Sequence, residues 1–257
     1  MAKVTAKGAA ASRQRGTTGA TRRQGFWRRL RSPGRIRTIL RWTMIVVLLV
    51  AFLPVPLLLI GRVVPTWFTP LMILRLAEGE GLSRSWTPMD EIPKPLPSMA
   101  IASEDQLFCS HRGFDWKALN QQLERVQAGR RSRGASTISQ QTAKNLFLWD
   151  GRSWIRKGLE AWYTLQLELL WPKRRIMEVY LNIAEMGPGV YGVAAASRYW
   201  FEKDLSDISR AEMARIIAIL PAPRTWKAQP ATANMRARGR QIDSRAQRLG
   251  DLDACVR

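Results

Sequence analysis

Residues 102–116 read ASEDQLFCSHRGFDW, and this stretch sets adjacent carboxylates, Glu104 and Asp105, one helical turn before Phe108 and two before the single histidine, His111. Pro97 ahead of it and Gly113 behind it bound a helix over residues 98–111. On that helix Glu104, Phe108 and His111, spaced four and seven apart, share a face. Glu104 is the candidate catalytic carboxylate. The plainer reading is a solvated acidic pair on a surface helix, and what lies on either side of the stretch decides between the two.

Upstream, the chain is strongly basic. Its 257 residues carry 41 Lys and Arg against 20 Asp and Glu, a net charge of +21. Twelve of the basic residues fall between Lys3 and Arg41, where there is no acid at all, which leaves 29 basic against 20 acidic, or +9, for the rest. A basic tail beside a milder body, without zinc-finger spacing or an aromatic single-strand-binding motif, argues against nucleic acid as a partner. Residues 1–41 read as a basic cytoplasmic tail, disordered over 1–24 by composition. The tail runs into WTMIVVLLVAFLPVPLLLI at 42–60, nineteen uncharged residues that match the length of a bilayer-crossing helix. With the basic flank before it, residues 42–61 are expected to be a single-pass anchor whose N-terminus is cytoplasmic. A cleaved signal peptide is the weaker alternative, because the leading basic region is too long and no small-x-small site follows. Residues 62–85, apolar over 63–76 and broken there by Pro65 and Pro70, read as an interfacial connection.

Downstream, helical signals dominate and no alternating strand stands out. Residues 116–129 form an amphipathic helix and 130–134 a basic loop. In GASTISQQTAKNLFLW, 134–149, Thr137 and Gln140 have the form of a capping box, so a helix starts there with free N–H groups beside Ser136 and Thr137, a place that attracts anions. Lys144 adds a cation on the same face. Residues 156–171 form a helix with an apolar stripe at Leu159, Trp162, Leu165 and Leu169. Glu160 lies off that stripe, four residues from Arg156 and three from Lys157, the spacing of a surface ion pair. Residues 173–186 repeat the helical pattern and GPGVYG at 187–192 breaks it. SRAE at 209–212 caps a helix that ends near Leu220. A basic helix over 235–249 has poor periodicity.

One histidine, with no HExxH and no GxSxG, excludes histidine zinc sites and Ser-His-Asp triads, so carboxylate chemistry remains. Two cysteines make no framework, and the sequence leaves open whether Cys109 and Cys255 pair.

Five segments in order, SEDQLFCSHRGFDW, GASTISQQTAKNLFLW, RKGLEAW, RRIMEVYLNIAEMGPGVYGVAAASRYWF and AEMARIIAILPAP, show that the chain resembles the peptidoglycan glycosyltransferases. It is most similar to their monofunctional, membrane-anchored members. Ser139 stands where Thr is expected and Cys109 where an aromatic is usual. The resemblance implies a mostly α, lysozyme-like glycosyltransferase domain over residues 86–226, behind a single N-terminal transmembrane helix, with 227–257 as a C-terminal extension. It implies that lipid II is polymerised into β-1,4 glycan with inversion and release of undecaprenyl pyrophosphate. Glu104 then corresponds to the catalytic base and Glu160 to a second acidic residue. Substrate and pyrophosphate binding falls to Asp105, Phe108, His111, Ser136, Thr137, Gln140, Gln141, Lys144, Arg156 and Lys157. A divalent cation, Mg or Mn, is expected as cofactor, with its ligands unknown. The expected partners are lipid II, the growing lipid-linked glycan and the inner membrane, with the catalytic domain periplasmic. SxxK and KTG motifs are lacking, so cross-linking is expected to fall to penicillin-binding transpeptidases, and divisome proteins are further candidate partners. The rival functions are a lytic transglycosylase or lysozyme-like hydrolase of finished glycan, and a non-catalytic membrane-anchored scaffold that binds lipid II.

Overall fold

The computed structural model describes residues 33–66, 68–130, 134–151 and 153–257. The expectations for residues 1–32, and for the basic loop at 131–133, lie outside these. The chain divides into two compact units, residues 1–50 and 51–257. The described part of the first is most of helix α1 (Pro33–Phe52), whose side chains are almost all exposed. After Leu53, Pro54 occupies the first position of α2 (Pro54–Gly61), where its missing N–H costs nothing. The two helices form one stretch, Gly34–Gly61, of 28 residues, long and apolar enough to cross a membrane. It begins eight residues earlier than the hydrophobic run alone suggested.

The second unit is helical, as expected. In chain order it holds α2, α3 (Pro70–Ala77), strand β1 (Ser83–Arg84), α4 (Pro95–Glu104), α5 (Trp116–Gln127), α6 (Ile138–Phe147) and α7 (Trp154–Leu170). There follow α8 (Lys173–Ile183), strands β2 (Glu185–Gly187) and β3 (Val190–Tyr191), α9 (Val193–Phe201), α10 (Arg210–Ala218), α11 (Ala233–Ala246) and a terminal 3-10 helix, Gly250–Val256. Helix α8 is the centre: from Ile176 to Ile183 only Glu178 escapes full burial. Helices α7 and α8 pack on α6, and α10 and α11 on α4, and the terminal 3-10 helix packs on both α4 and α8, linking the two helical groups. Both expected capping boxes are present, Thr137 with Gln140 and Ser209 with Glu212. The poorly periodic C-terminal stretch is the helix α11, capped by Thr232.

Three expectations need correction. The helix predicted over 98–111 ends at Glu104, because Asp105 leaves helical geometry (φ −161°, ψ 79°) and turns its side chain inward. The turn that follows buries Phe108 completely, so Phe108 and His111 do not continue a helix face. The apolar stripe of α7 faces outward: Trp162, Leu165 and Leu169 are exposed, Leu169 by 85%, whereas Glu160, Tyr163, Thr164, Gln166 and Leu167 face inward. Strands are present after all, as a small sheet in the order β1-β3-β2, with β1 parallel and β2 antiparallel to β3. Each strand is only two or three residues, too short for alternation to show.

The sheet depends on Gly189 in the turn between β2 and β3. Its φ is +65°, and a Cβ there would lie 2.0 Å from the Gly81 carbonyl oxygen, while the Gly189 carbonyl accepts from Ser83 N–H at 2.8 Å. The last turn of α2 is tied to the α7–α8 corner. Trp171 Nε1 donates to Leu58 O at 2.6 Å, and Arg175 donates to the carbonyls of Gly61 (2.8 Å) and Val64 (2.6 Å). The interfacial connection contains α3, which buries Leu71 and Met72 and leaves Ile73 and Leu76 exposed, and Val63 and Phe68 ahead of it are exposed too. Gly189→Ala is expected to cost about 3 kcal/mol, combining left-handed strain with a backbone clash, and thermal melting of purified protein checks it.

Candidate active site

Glu104 is the last residue of α4 and is part-exposed. Its carboxylate accepts from Ser103 Oγ at 3.1 Å and from Gln141 Nε2 at 3.2 Å. Gln141 is turned the right way by Tyr180, whose hydroxyl donates to the Gln141 carbonyl oxygen at 3.2 Å. Tyr180 is wholly buried. Burial, and then the negative charges of Glu104 and Asp105, push its hydroxyl well above the usual phenol range, so it stays a donor. The chain Tyr180, Gln141, Glu104 thus fixes one carboxylate oxygen from within the core.

Asp105 faces the other way and is buried. Its Oδ2 accepts the Ile138 N–H at 2.9 Å, the first amide of α6, and its carboxylate accepts His111 Nε2–H at 2.9 Å. Gly113 N–H donates to His111 Nδ1 at 3.1 Å, so that nitrogen carries no proton and the ring is the neutral Nε2–H tautomer. Gly113 has φ +89°, and a Cβ there would meet Thr164 Cγ2 at 2.8 Å. The Gly113 carbonyl accepts Thr137 Oγ–H at 2.7 Å. The expectation that the start of α6 offers free N–H groups is therefore corrected. Asp105 takes the amide of Ile138, Thr137 Oγ takes that of Gln140, and the anion at this helix end is the protein's own.

Glu160 is not in a surface ion pair. It is 3% exposed, held at 2.7 Å by Arg156 Nη1 and also by Lys157 Nζ. Arg156 Nε donates in addition to Gly151 O at 2.8 Å, and Lys157 Nζ reaches Ser136 Oγ at 3.5 Å. Ser136 is the exposed neighbour of Thr137, so the cations of α7 meet the α6 start that Asp105 holds. Ser153, Trp154, Arg156 and Lys157 line an open hollow of about 360 Å³. Lys144, part-exposed on α6, has no carboxylate within 4 Å among the described residues.

The twelve residues expected at the site thus fall into two sets. Glu104, Ser136, Gln141, Lys144, Arg156 and Lys157 keep some exposure, whereas Asp105, Phe108, Thr137, Gln140 and Glu160 are buried and His111 nearly so. Sequence reasoning missed Tyr180, Ser103 and Lys173. Lys173 Nζ lies 4.5 Å from the centre of the Phe108 ring and 2.6 Å from Glu168, and burial lowers its pKa. The only signal for these residues was their place within the resemblance segments or next to them.

Among the described residues no group of three or more His, Cys, Asp or Glu is placed to hold a metal. Asp105 and Glu160 are committed to donors inside the protein, so neither is free for Mg or Mn, and no step below is routed through a metal ion.

A part-exposed carboxylate oriented from the core and a group of cations on the same helical domain are the groups that acid–base and electrostatic catalysis need. The family model described as Transglycosylase matches residues 72–247. The chain is 45% identical over 224 residues to the biosynthetic peptidoglycan transglycosylase of Caulobacter vibrioides, covering 86% of this chain and 94% of that protein. It is 47% identical over 225 residues to the protein of that name from Xanthomonas euvesicatoria, covering 85% and 91%. A third, from Rhodospirillum centenum, is 47% identical over 209 residues, covering 80% and 90%. The chain belongs to the transglycosylase family, and its helical domain is the lysozyme-like domain of that family.

Tyr180→Phe removes the hydroxyl that orients Gln141. Turnover in a glycan-polymerisation assay is expected to fall by roughly three- to tenfold, while the loss of stability stays near the ~1 kcal/mol of one hydrogen bond.

Proposed function

We propose that this peptidoglycan glycosyltransferase joins lipid II units with Glu104 as the general base. The observation that carries this is a part-exposed Glu104 oriented by Gln141 of α6, the helix that also carries Lys144 and whose N-terminal approach Lys157 reaches through Ser136. Glu104 accepts the proton of the acceptor's sugar 4-hydroxyl as that oxygen attacks the anomeric carbon of the donor. The bond to the lipid pyrophosphate breaks, and the leaving group departs carrying negative charge. Lys144, Arg156 and Lys157 oppose that charge as it develops, which lowers the barrier because the cations are already in place. One displacement inverts the anomeric centre, so an α-linked donor becomes a β-1,4-linked strand. Ser136 and Gln141 line the same face, and Asp105, Phe108, His111, Thr137 and Gln140 hold that face from beneath.

The burial of Glu160 bears on the hydrolase alternative. Cleavage by paired carboxylates needs a second acid or nucleophile free to act at the sugar. Glu160 sits between two cations and is not free in that way, which favours transfer over hydrolysis.

The membrane reading rests on Gly34–Gly61 and on what continues it. Trp162 Nε1 and Gln166 Nε2 both donate to Ala51 O at 2.8 Å, so the outward apolar stripe of α7 runs beside the last turn of α1. Trp149, Trp154 and Ile155 are also exposed, and the exposed residues of α3 add to them. Such a surface fits an inner membrane from which a lipid-linked substrate arrives, with the catalytic domain on the periplasmic side. Cross-links between the strands would then come from separate penicillin-binding transpeptidases.

Two outcomes test these readings. Glu104→Gln keeps shape and hydrogen bonds but cannot take a proton, so polymer formation from labelled lipid II is expected to fall by on the order of 10²–10⁴ while a lipid-pyrophosphate analogue still binds. Glu160→Gln leaves two cations under-compensated, so its smaller loss of rate should come with altered binding and a lowered thermal midpoint. Near-normal rates for Glu104→Gln with a dead Glu160→Gln would reverse the two roles. For topology, an enzyme reporter active only after export, fused after Arg257, is expected to be active, and a silent fusion at normal expression would refute the periplasmic placement.

A further inference from the structure

Cys109 and Cys255 form a disulfide across 146 residues, with Cα atoms 5.6 Å apart. Cys109 lies in the turn between Asp105 and His111, and Cys255 lies in the terminal 3-10 helix. That helix also touches α4 directly: Ser98 Oγ donates to the buried Asp253 at 2.5 Å, and Arg257 holds the other Asp253 oxygen at 2.5 Å. It packs on α4 and α8 together. The C-terminal end of the chain therefore grips the element carrying Glu104 at two points, the first turn of α4 and the loop just beyond its last residue.

Cys109 packs against the core, and the disulfide is its covalent tie to the chain's end. Asp105, Phe108 and His111 are each fixed by contacts to α6, to the core or to one another, whereas the part-buried Cys109 sits on the rim of the turn. A tether on one rim of a short turn limits how far that turn can swing. Here the turn begins at Asp105, the residue next to Glu104.

We propose that the Cys109–Cys255 disulfide is a positioning clamp for the Glu104 turn, so that polymerising activity depends on oxidation of this pair. The clamp rests on the reading of Glu104 as the base. Closing it takes two electrons and two protons from the thiols to a disulfide-class oxidant, with formation of the S–S bond, and a dithiol reductant reverses the exchange. An enzyme of this kind stays slow while its thiols are reduced and gains full turnover in an oxidising compartment.

The test compares oxidised and dithiothreitol-reduced full-length protein in detergent, with labelled lipid II as substrate. Thiol alkylation verifies the state of the pair, and near-UV circular dichroism is recorded at the assay temperature. Reduction is expected to lower kcat by on the order of tenfold, leave KM within about twofold and leave the dichroism native, with recovery on re-oxidation by oxidised glutathione. Cys255→Ser should show the lower kcat with or without reductant. Equal kcat in both states overturns the clamp. So does a reduced protein without tertiary dichroism, because the bridge then maintains the whole fold and not the turn. A correctly oxidised protein that makes no polymer at all marks instead a failure of the proposed chemistry, and the two failures are thereby distinct.

Discussion

The arrangement depends on one buried carboxylate. Asp105 receives the first amide of α6 and the Nε2–H of His111, and charge-assisted bonds of this kind are worth about 1.5–3 kcal/mol each. Because its charge is desolvated, leaving either donor unpaired would be costly, so three elements must meet at Asp105: the end of α4, the turn and the start of α6. Glu104 is exposed as a consequence. With its neighbour pulled inward, the chain cannot continue as a helix, and the last helical side chain is left part-exposed. The adjacent acids look equivalent in the sequence and do opposite work.

That division explains what the sequence made legible and what it concealed. Capping boxes at Thr137 and Ser209 were readable because they are local, needing only residues three apart. The end of α4 was not, since nothing near Asp105 in the chain announces that its partner is an amide 33 residues away. The sheet was hidden by its size and by a parallel pairing across more than a hundred residues. The candidacy of Gln141, Arg156 and Lys157 came from the resemblance, whereas Glu104 and Lys144 were already marked by their place in the sequence. That Asp105 is spent on the Ile138 amide and on His111 required coordinates. The cysteine pair carries no spacing rule, so only the fold shows that the chain's end returns to the turn.

Helix α7 was misleading for a physical reason. An apolar stripe on an amphipathic helix normally marks the buried face, because water is assumed outside. Here the inward face must carry Glu160, Thr164 and Gln166, which bond to Arg156, Lys157 and carbonyl oxygens, while Trp162, Leu165 and Leu169 point out. The inversion makes sense if part of the surroundings is lipid. The same helix then presents apolar groups to the medium and cations at its first turn to a phosphorylated substrate, without a loop between the two functions.

The cations of α7 also face two demands at once. A pyrophosphate held by two unopposed charges would gain about 4 kcal/mol from each at ~4 Å in a surface-like dielectric, enough to make the product slow to leave. Glu160, buried between Arg156 and Lys157, offsets part of that attraction and fixes both side chains in place. One positive charge remains over, joined by the uncommitted Lys144. A site that transfers the same group repeatedly along a growing strand needs this intermediate strength: charge enough to favour departure in the transition state, and not so much that the departed group stays. In this reading the second glutamate belongs to the leaving group's side of the reaction, and its burial is what allows a carboxylate to sit there without competing for the substrate.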